Sequence, residues 1–165
     1  RIVSALSSYS RSEGEAAAPV DLNAVIDETL DIAVHLLAEV KVQRELAPLP
    51  PVLGDSGQLG QVFMNLVANA AQAVAGQPDA RIRVQTRRVD TRIEARVSDN
   101  GPGVPDGLRA RIFDPFFTTK EVGEGTGLGL SISHEIVVSH GGSLELATDR
   151  SEGATFIVTL PVTSG

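Results

Sequence analysis

The sequence predicts an α/β (α+β) two-layer sandwich, a mixed β-sheet with helices on one face. Three observations carry that prediction. Apolar residues recur at helical spacing in some segments and at period two in others. Strands follow one another directly in places, so the segments lack the regular strand–helix alternation of a doubly wound sheet. The chain has 165 residues, 42% hydrophobic and only 21% charged, which suits one folded domain with a substantial core.

Residues 1–12, with Ile2, Val3 and Leu6 among serines, read as the end of a helix that began upstream. Residues 13–19 read as a linker closed by Pro19, and 20–165 as the domain proper. A start at Arg1 rather than Met makes a piece of a longer protein the expectation. Val20–Leu22 suggests a short strand. Asn23–Glu39 carries a helical stripe of Val25, Ile26, Leu30, Ala33, Leu36 and Leu37. Lys41–Leu46 alternates as a strand, and the proline-rich stretch to Gly54 reads as irregular. Asp55 with Gln58 resembles a capping box opening a helix over Ser56–Ala75. Strands at Ala80–Val89 and Arg92–Asp99 meet at Asp90-Thr91. A long glycine-rich stretch, Gly101–Gly125, holds a short helix at Gly107–Phe113. A helix over Gly127–His140 stops at Gly141-Gly142, and strands at Ser143–Thr148 and Ala154–Leu160 end the pattern.

Composition excludes several function classes. A net charge of −7 argues against nucleic acid as a partner. The absence of cysteine removes disulfides, thiolate metal sites and a thiol nucleophile. No apolar run reaches the ~18 residues of a membrane span.

Three constellations point to chemistry. The helix from Ser56 to Ala75 contains no Asp, Glu, Lys or Arg; its flank carries amides instead, Gln58, Gln61, Asn65, Asn69 and Gln72. Asn65 and Asn69 are four apart and share a face. Asparagine is a mediocre helix former, so two need a reason. Either an amide oxygen meets a hydrated magnesium, or both amides bond neighbouring loops. Asp99 ends the inward series Ile93, Ala95, Val97, Asp99, which puts a carboxylate at the edge of a core face, where it requires a donor. An exocyclic amine such as that of adenine would supply one; so would the backbone of the turn Asn100-Gly101. Seven of the 16 glycines fall within Gly101–Gly129, and Gly125-Thr126-Gly127-Leu128-Gly129-Leu130 opens a helix. Glycine-rich helix N-termini offer N–H groups to phosphate. The stretch matches neither a P-loop nor a dinucleotide fingerprint.

Taken together, these segments resemble the four boxes of the Bergerat-fold (GHKL) ATPases, specifically sensor histidine kinases. The boxes are Gln61–Ala70, Asp99-Asn100-Gly101-Pro102-Gly103, Ile112–Lys120 with Phe113, Phe116 and Phe117, and Gly125–Leu130. The resemblance covers about residues 20–161. It implies Mg-ATP as ligand and transfer of the γ-phosphoryl group to a histidine on an upstream dimerisation domain. Residues 1–12 resemble the last turns of that domain's second helix.

The resemblance assigns roles residue by residue. Asn69 is implied as the magnesium ligand, with Asn65 as its support. Asp99 is implied as the adenine reader, with Gly101 and Gly103 shaping its pocket. Gly125, Thr126, Gly127, Leu128 and Gly129 are implied as the phosphate-side hinge of a lid, and Thr155 as a residue near adenine. Many such kinases have a lysine and an aromatic where Gln72 and Ala73 stand here, a departure that resembles the nitrogen-regulatory subgroup. Lys120 is therefore the candidate phosphate cation. A response-regulator receiver domain is the implied downstream partner. The fragment is expected to be monomeric, and the whole protein a cytoplasmic or inner-membrane-anchored homodimer. Two other classes remain open: an ATP-hydrolysing switch and a non-catalytic nucleotide-binding module. An acid at position 65 would favour the switch. Ser133-His134-Glu135-Ile136 mimics a phospho-acceptor box, but Val137-Val138 follow where a polar residue and proline belong, so His134 reads as structural.

Overall fold

A computed structural model describes residues 17–114, 129–147 and 153–162. Strand β1 (Ala18–Val20) leads into helix α1 (Leu22–Ile32), whose N-terminus is capped by Asp21 accepting from the Ala24 N–H. Strands β2 (Lys41–Leu46) and β3 (Val52–Gly54) precede helix α2 (Ser56–Ala73). Strands β4 (Arg81–Val89) and β5 (Arg92–Asp99) form a hairpin. Its two-residue turn places Asp90 at φ 56°, a conformation that matches the right-handed twist of the strands. Helix α3 (Gly129–Ser139) and strands β6 (Ser143–Leu146) and β7 (Thr155–Pro161) complete the described chain.

The main sheet has the order β2-β4-β5-β7-β6, with β2–β4 parallel and the other pairs antiparallel. Its mixed character follows from connectivity: β4 and β5 are joined by a tight turn, whereas α2 and β3 intervene between β2 and β4. Inward residues Ile82, Val84, Ile93, Ala95, Val97, Phe156, Val158 and Leu160 are buried against Leu59, Val62, Phe63, Leu66 and Val67 of α2. The opposite face is polar; there Glu94 accepts from both Arg87 and Arg96, and Arg83 pairs with Glu45. This one-sided burial is the two-layer arrangement that the period-two pattern predicts. Among the described residues no helix is long and apolar enough to cross a membrane.

The structure corrects several expectations. Ala18 and Pro19, read as linker, belong to β1, which pairs antiparallel with β3 in a separate two-stranded sheet. Pro48, Pro50 and Pro51 obscured β3, whose three residues are too short for a period to register. Residues 1–16, with the expected upstream helix end, lie outside the described residues. The first helix ends at Ile32 and tightens into a 3₁₀ turn over Ala33–His35. That change of pitch keeps Leu37 buried and turns Leu36 out, 53% exposed. The short helix expected at Gly107–Phe113 is a single 3₁₀ turn, Asp106–Leu108, followed by turns.

Asp55 accepts from the Gln58 N–H at 3.0 Å, as predicted. Its own N–H, which a capping box would offer to the Gln58 side chain, is instead accepted by His140 Nε2 at 3.2 Å. Because Nδ1 of His140 faces the Ile136 carbonyl at 2.8 Å and must donate there, Nε2 is left as the acceptor. The histidine thus ties the end of α3 to the start of α2. Gly141 (φ 81°) then closes α3, with its N–H on the Val138 carbonyl and that of Gly142 on the Val137 carbonyl. Replacing His140 with Ala is expected to destabilise the domain by about 1–2 kcal/mol through the orphaned Asp55 N–H and the lost cap. A denaturant midpoint against wild type measures this.

Candidate functional site

The site is built along one stripe of α2. Asn65, Asn69 and Ala73 are spaced by four and share a face. At one end, Asn65 Nδ2 donates to the Gly129 carbonyl at 3.2 Å and to Ser133 Oγ at 3.1 Å, anchoring the first turn of α3. At the other, the Ala73 carbonyl lies against Gly101, where an added Cβ would come within 2.7 Å of it. Asn69 sits between these anchors, half-buried, on the helix whose opposite side fills the core.

Asp99 closes this arrangement at the end of β5. It is 8% exposed. Its Oδ1 accepts from the Gly101 N–H at 2.8 Å and from the Ala154 N–H at 3.4 Å. Burial pushes its carboxyl above the usual aspartate range, and the two backbone N–H groups pull against that shift. The other oxygen, Oδ2, accepts no hydrogen bond among the described residues, and none of the buried side-chain polar atoms there lacks a partner. Oδ2 therefore opens to solvent. Oδ1 thus caps the turn, one of the two sequence readings of Asp99, while Oδ2 stays unbonded among the described residues.

Glycines permit close backbone approach around Asp99. Gly103 has φ 79°, and a Cβ there would meet the Gly153 carbonyl at 3.0 Å. Gly153 has φ 70°, and its Cβ would fall 1.9 Å from the Asp99 carbonyl oxygen. Gly153 is the residue that sequence reasoning passed over. A lone glycine before a strand gives little signal; its necessity arises from a backbone that approaches across the sheet. Asn100 steadies the same turn, accepting from the Arg81 N–H at 2.8 Å and donating to the Asp79 carbonyl.

The structure thus brings Asn65, Asn69, Asp99, Gly101, Gly103 and Gly129 to one side of α2. It does not bring Thr155 there. Thr155 pairs with Ser98 in the β5–β7 ladder, and its hydroxyl donates to Ser98 Oγ at 2.9 Å. That pair points to the sheet face opposite Asp99, because side chains alternate along a strand. The inward neighbour beside Asp99 is Ala154, buried and bonded through its N–H. Lys120, Gly125, Thr126, Gly127 and Leu128 lie outside the described residues, as do Phe116 and Phe117. His134 packs its ring on Phe113 at 5.5 Å between centroids, and Phe113 in turn meets Phe156 edge-on. That contact agrees with a structural reading of His134.

Among the described residues no group of three or more His, Cys, Asp or Glu side chains is placed to hold a metal. The donor set near Asn69 is amide oxygen, which suits magnesium that keeps most of its water and takes few protein ligands.

Comparisons with known proteins agree with this fold. Residues 54–164 match the family described as histidine kinase-, DNA gyrase B-, and HSP90-like ATPase. The two-component sensor PprA of Pseudomonas aeruginosa is 43% identical over 171 residues, covering 98% of this chain and 18% of that protein. The sensory histidine kinase/phosphatase NtrB of Rhizobium meliloti is 37% identical over 163 residues, covering 89% of this chain and 42% of that protein. The chain therefore spans less than half the length of these relatives. Among solved structures, the mycobacterial sensor histidine kinase MprB superposes with TM-score 0.78 at 31% identity, covering 88% of this chain and 97% of that one. The catalytic domain of histidine kinase ThkA superposes with TM-score 0.80 at 30% identity, covering 91% of this chain and 100% of that one. With the fold, the amide-lined helix and the Asp99 turn all in place, the chain belongs to the histidine kinase-, DNA gyrase B- and HSP90-like ATPase family.

Proposed function

We propose that this chain binds Mg-ATP and presents its γ-phosphoryl group to a histidine on a dimerisation domain, within a two-component sensor kinase whose partner is a receiver domain. The carrying observation is Asp99, buried at a strand end with Oδ1 braced by two N–H groups and Oδ2 open. A carboxylate so held reads an exocyclic amine with one defined oxygen. Guanine carries a carbonyl at that position, so GTP is disfavoured by oxygen facing oxygen. The glycines at 101, 103 and 153 let backbone approach a planar base.

The protein's contribution is then positioning and charge placement. When bound, magnesium would neutralise phosphate charge, with Asn69 supplying an amide oxygen at its hydration shell. Asn65 occupies the position one turn before Asn69, and an amide cannot take a proton from an attacking water. That choice suits a kinase that holds ATP intact until the acceptor arrives. The ATPase family resemblance and the relatives' names support the same reading.

Titration calorimetry with ATP and GTP, each with and without magnesium, tests this. Wild type is expected to prefer ATP and to gain affinity on adding the metal. Asn69→Ala is expected to cut that gain by about tenfold, the scale of one 1.4 kcal/mol interaction. Equal ATP and GTP affinities would remove the adenine role of Asp99. A gain untouched by Asn69→Ala would remove the metal role of Asn69.

A further inference from the structure

We infer that Ser133 is a positioning residue of the nucleotide site, acting through Asn65; this rests on the proposed Mg-ATP function. Ser133 lies on α3 one turn after Gly129 and is 0% exposed. A hydroxyl buried that deeply needs a hydrogen-bond partner. Its partner is Asn65 Nδ2 at 3.1 Å, and the same nitrogen reaches the Gly129 carbonyl at 3.2 Å.

These contacts set the orientation of the Asn65 amide. A backbone carbonyl can only accept, so the atom facing Gly129 must be nitrogen. Both amide hydrogens are then directed at α3, one to the carbonyl and one to the hydroxyl. The oxygen, Oδ1, is left pointing away from α3. It accepts no hydrogen bond among the described residues, and no buried side-chain acceptor there is unpartnered, so Oδ1 is open. Ser133 thereby holds a free oxygen acceptor on the stripe that carries Asn69. Such an acceptor suits a water of hydrated magnesium. With the Gly129 bond alone, the amide would regain rotameric freedom, because asparagine has no strong preference of its own inside a helix. Ser133 also lies in the turn that Gly129 opens, so one link joins the start of α3 to the metal-side helix.

Ser133→Ala tests the role. Alanine removes the hydroxyl, favours helix and fits the buried space, so the variant is expected to fold with a thermal midpoint near wild type. Calorimetry of ATP with magnesium is expected to show an affinity about fivefold weaker, the scale of one hydrogen bond. ATP in EDTA is expected to bind as in wild type. In an Asn65→Ala background the same substitution is expected to add no further loss, because its effect passes through Asn65. Equal weakening with and without magnesium, or full weakening retained in the Asn65→Ala background, would overturn the role and leave Ser133 as packing. Unchanged Mg-ATP affinity in Ser133→Ala, with a normal magnesium gain in wild type, would overturn it too, while sparing the proposed function. Wild type without any magnesium gain would overturn the proposed function first, and this role with it.

Discussion

Asp99→Asn is expected to weaken ATP binding roughly 10- to 150-fold, corresponding to about 1.5–3 kcal/mol for a hydrogen bond to a charged group. The substitution is nearly isosteric. It retains an oxygen for the Gly101 and Ala154 N–H groups, which now hold Oδ1 at 2.8 and 3.4 Å. That leaves an NH₂ where Oδ2 stands, so a donor meets the adenine amine. The same change is expected to stabilise the nucleotide-free domain at neutral pH. Burial raises the Asp99 carboxyl above its ordinary value, so the folded state binds the proton more tightly than the unfolded chain. Stability is then greatest below the ordinary aspartate range and falls as pH rises through the raised value; the cost persists at neutral pH. A neutral amide carries no such cost. Calorimetry and denaturant melts on one pair of proteins measure both effects. Tighter ATP binding in Asp99→Asn would contradict the first, and a lower neutral-pH midpoint the second. In wild type, ATP affinity is expected to decline on acidification before ordinary aspartates protonate.

Gly153→Ala is expected to damage both fold and site, costing about 2–5 kcal/mol from strain at positive φ together with overpacking. Its Cβ would lie 1.9 Å from the Asp99 carbonyl oxygen and 2.7 Å from Oδ1. Neither atom can retreat freely. The Asp99 N–H is bonded to the Ala154 carbonyl at 3.0 Å, and Oδ1 caps the Gly101 turn. Relief requires the end of β7 to move from β5, which takes the Asp99 carboxylate out of register with Gly101 and Gly103. ATP binding is expected to fall even at temperatures where the variant stays folded. Gly107→Ala is the control: its Cβ would meet nothing within 4 Å, and its stability is expected to stay near wild type. Denaturant midpoints and ATP titrations of the two variants, compared directly, decide whether the close approach matters.

Much of this architecture was legible because its signals are local. The stripe of Leu59, Val62, Phe63, Leu66 and Val67 predicts α2 and its buried side, and the structure buries each of them. The alternation through Ile93, Ala95 and Val97 to Asp99 predicts which way the carboxylate faces. What escaped has a common cause. β3 exists because it pairs with β1, and neither three-residue strand carries a period of its own. Thr155 was implied near adenine by resemblance alone, and its register opposite Ser98 puts it on the sheet face away from Asp99.

The sequence by itself determined the fold class, the amide face of α2, the placement of Asp99 at a buried strand end and the glycine stop after α3. Each follows from side-chain periodicity or from backbone preference, both readable within a few residues. Only the tertiary structure decided that Gly153 must lack a side chain, that His140 completes the cap of α2, and that Ser133 orients Asn65. Those three depend on atoms separated by 54, 85 and 68 positions along the chain, namely Asp99 with Gly153, Asp55 with His140, and Asn65 with Ser133. Their partners are set by how α3 and β7 pack against α2 and β5, and no local pattern encodes a contact made across two elements.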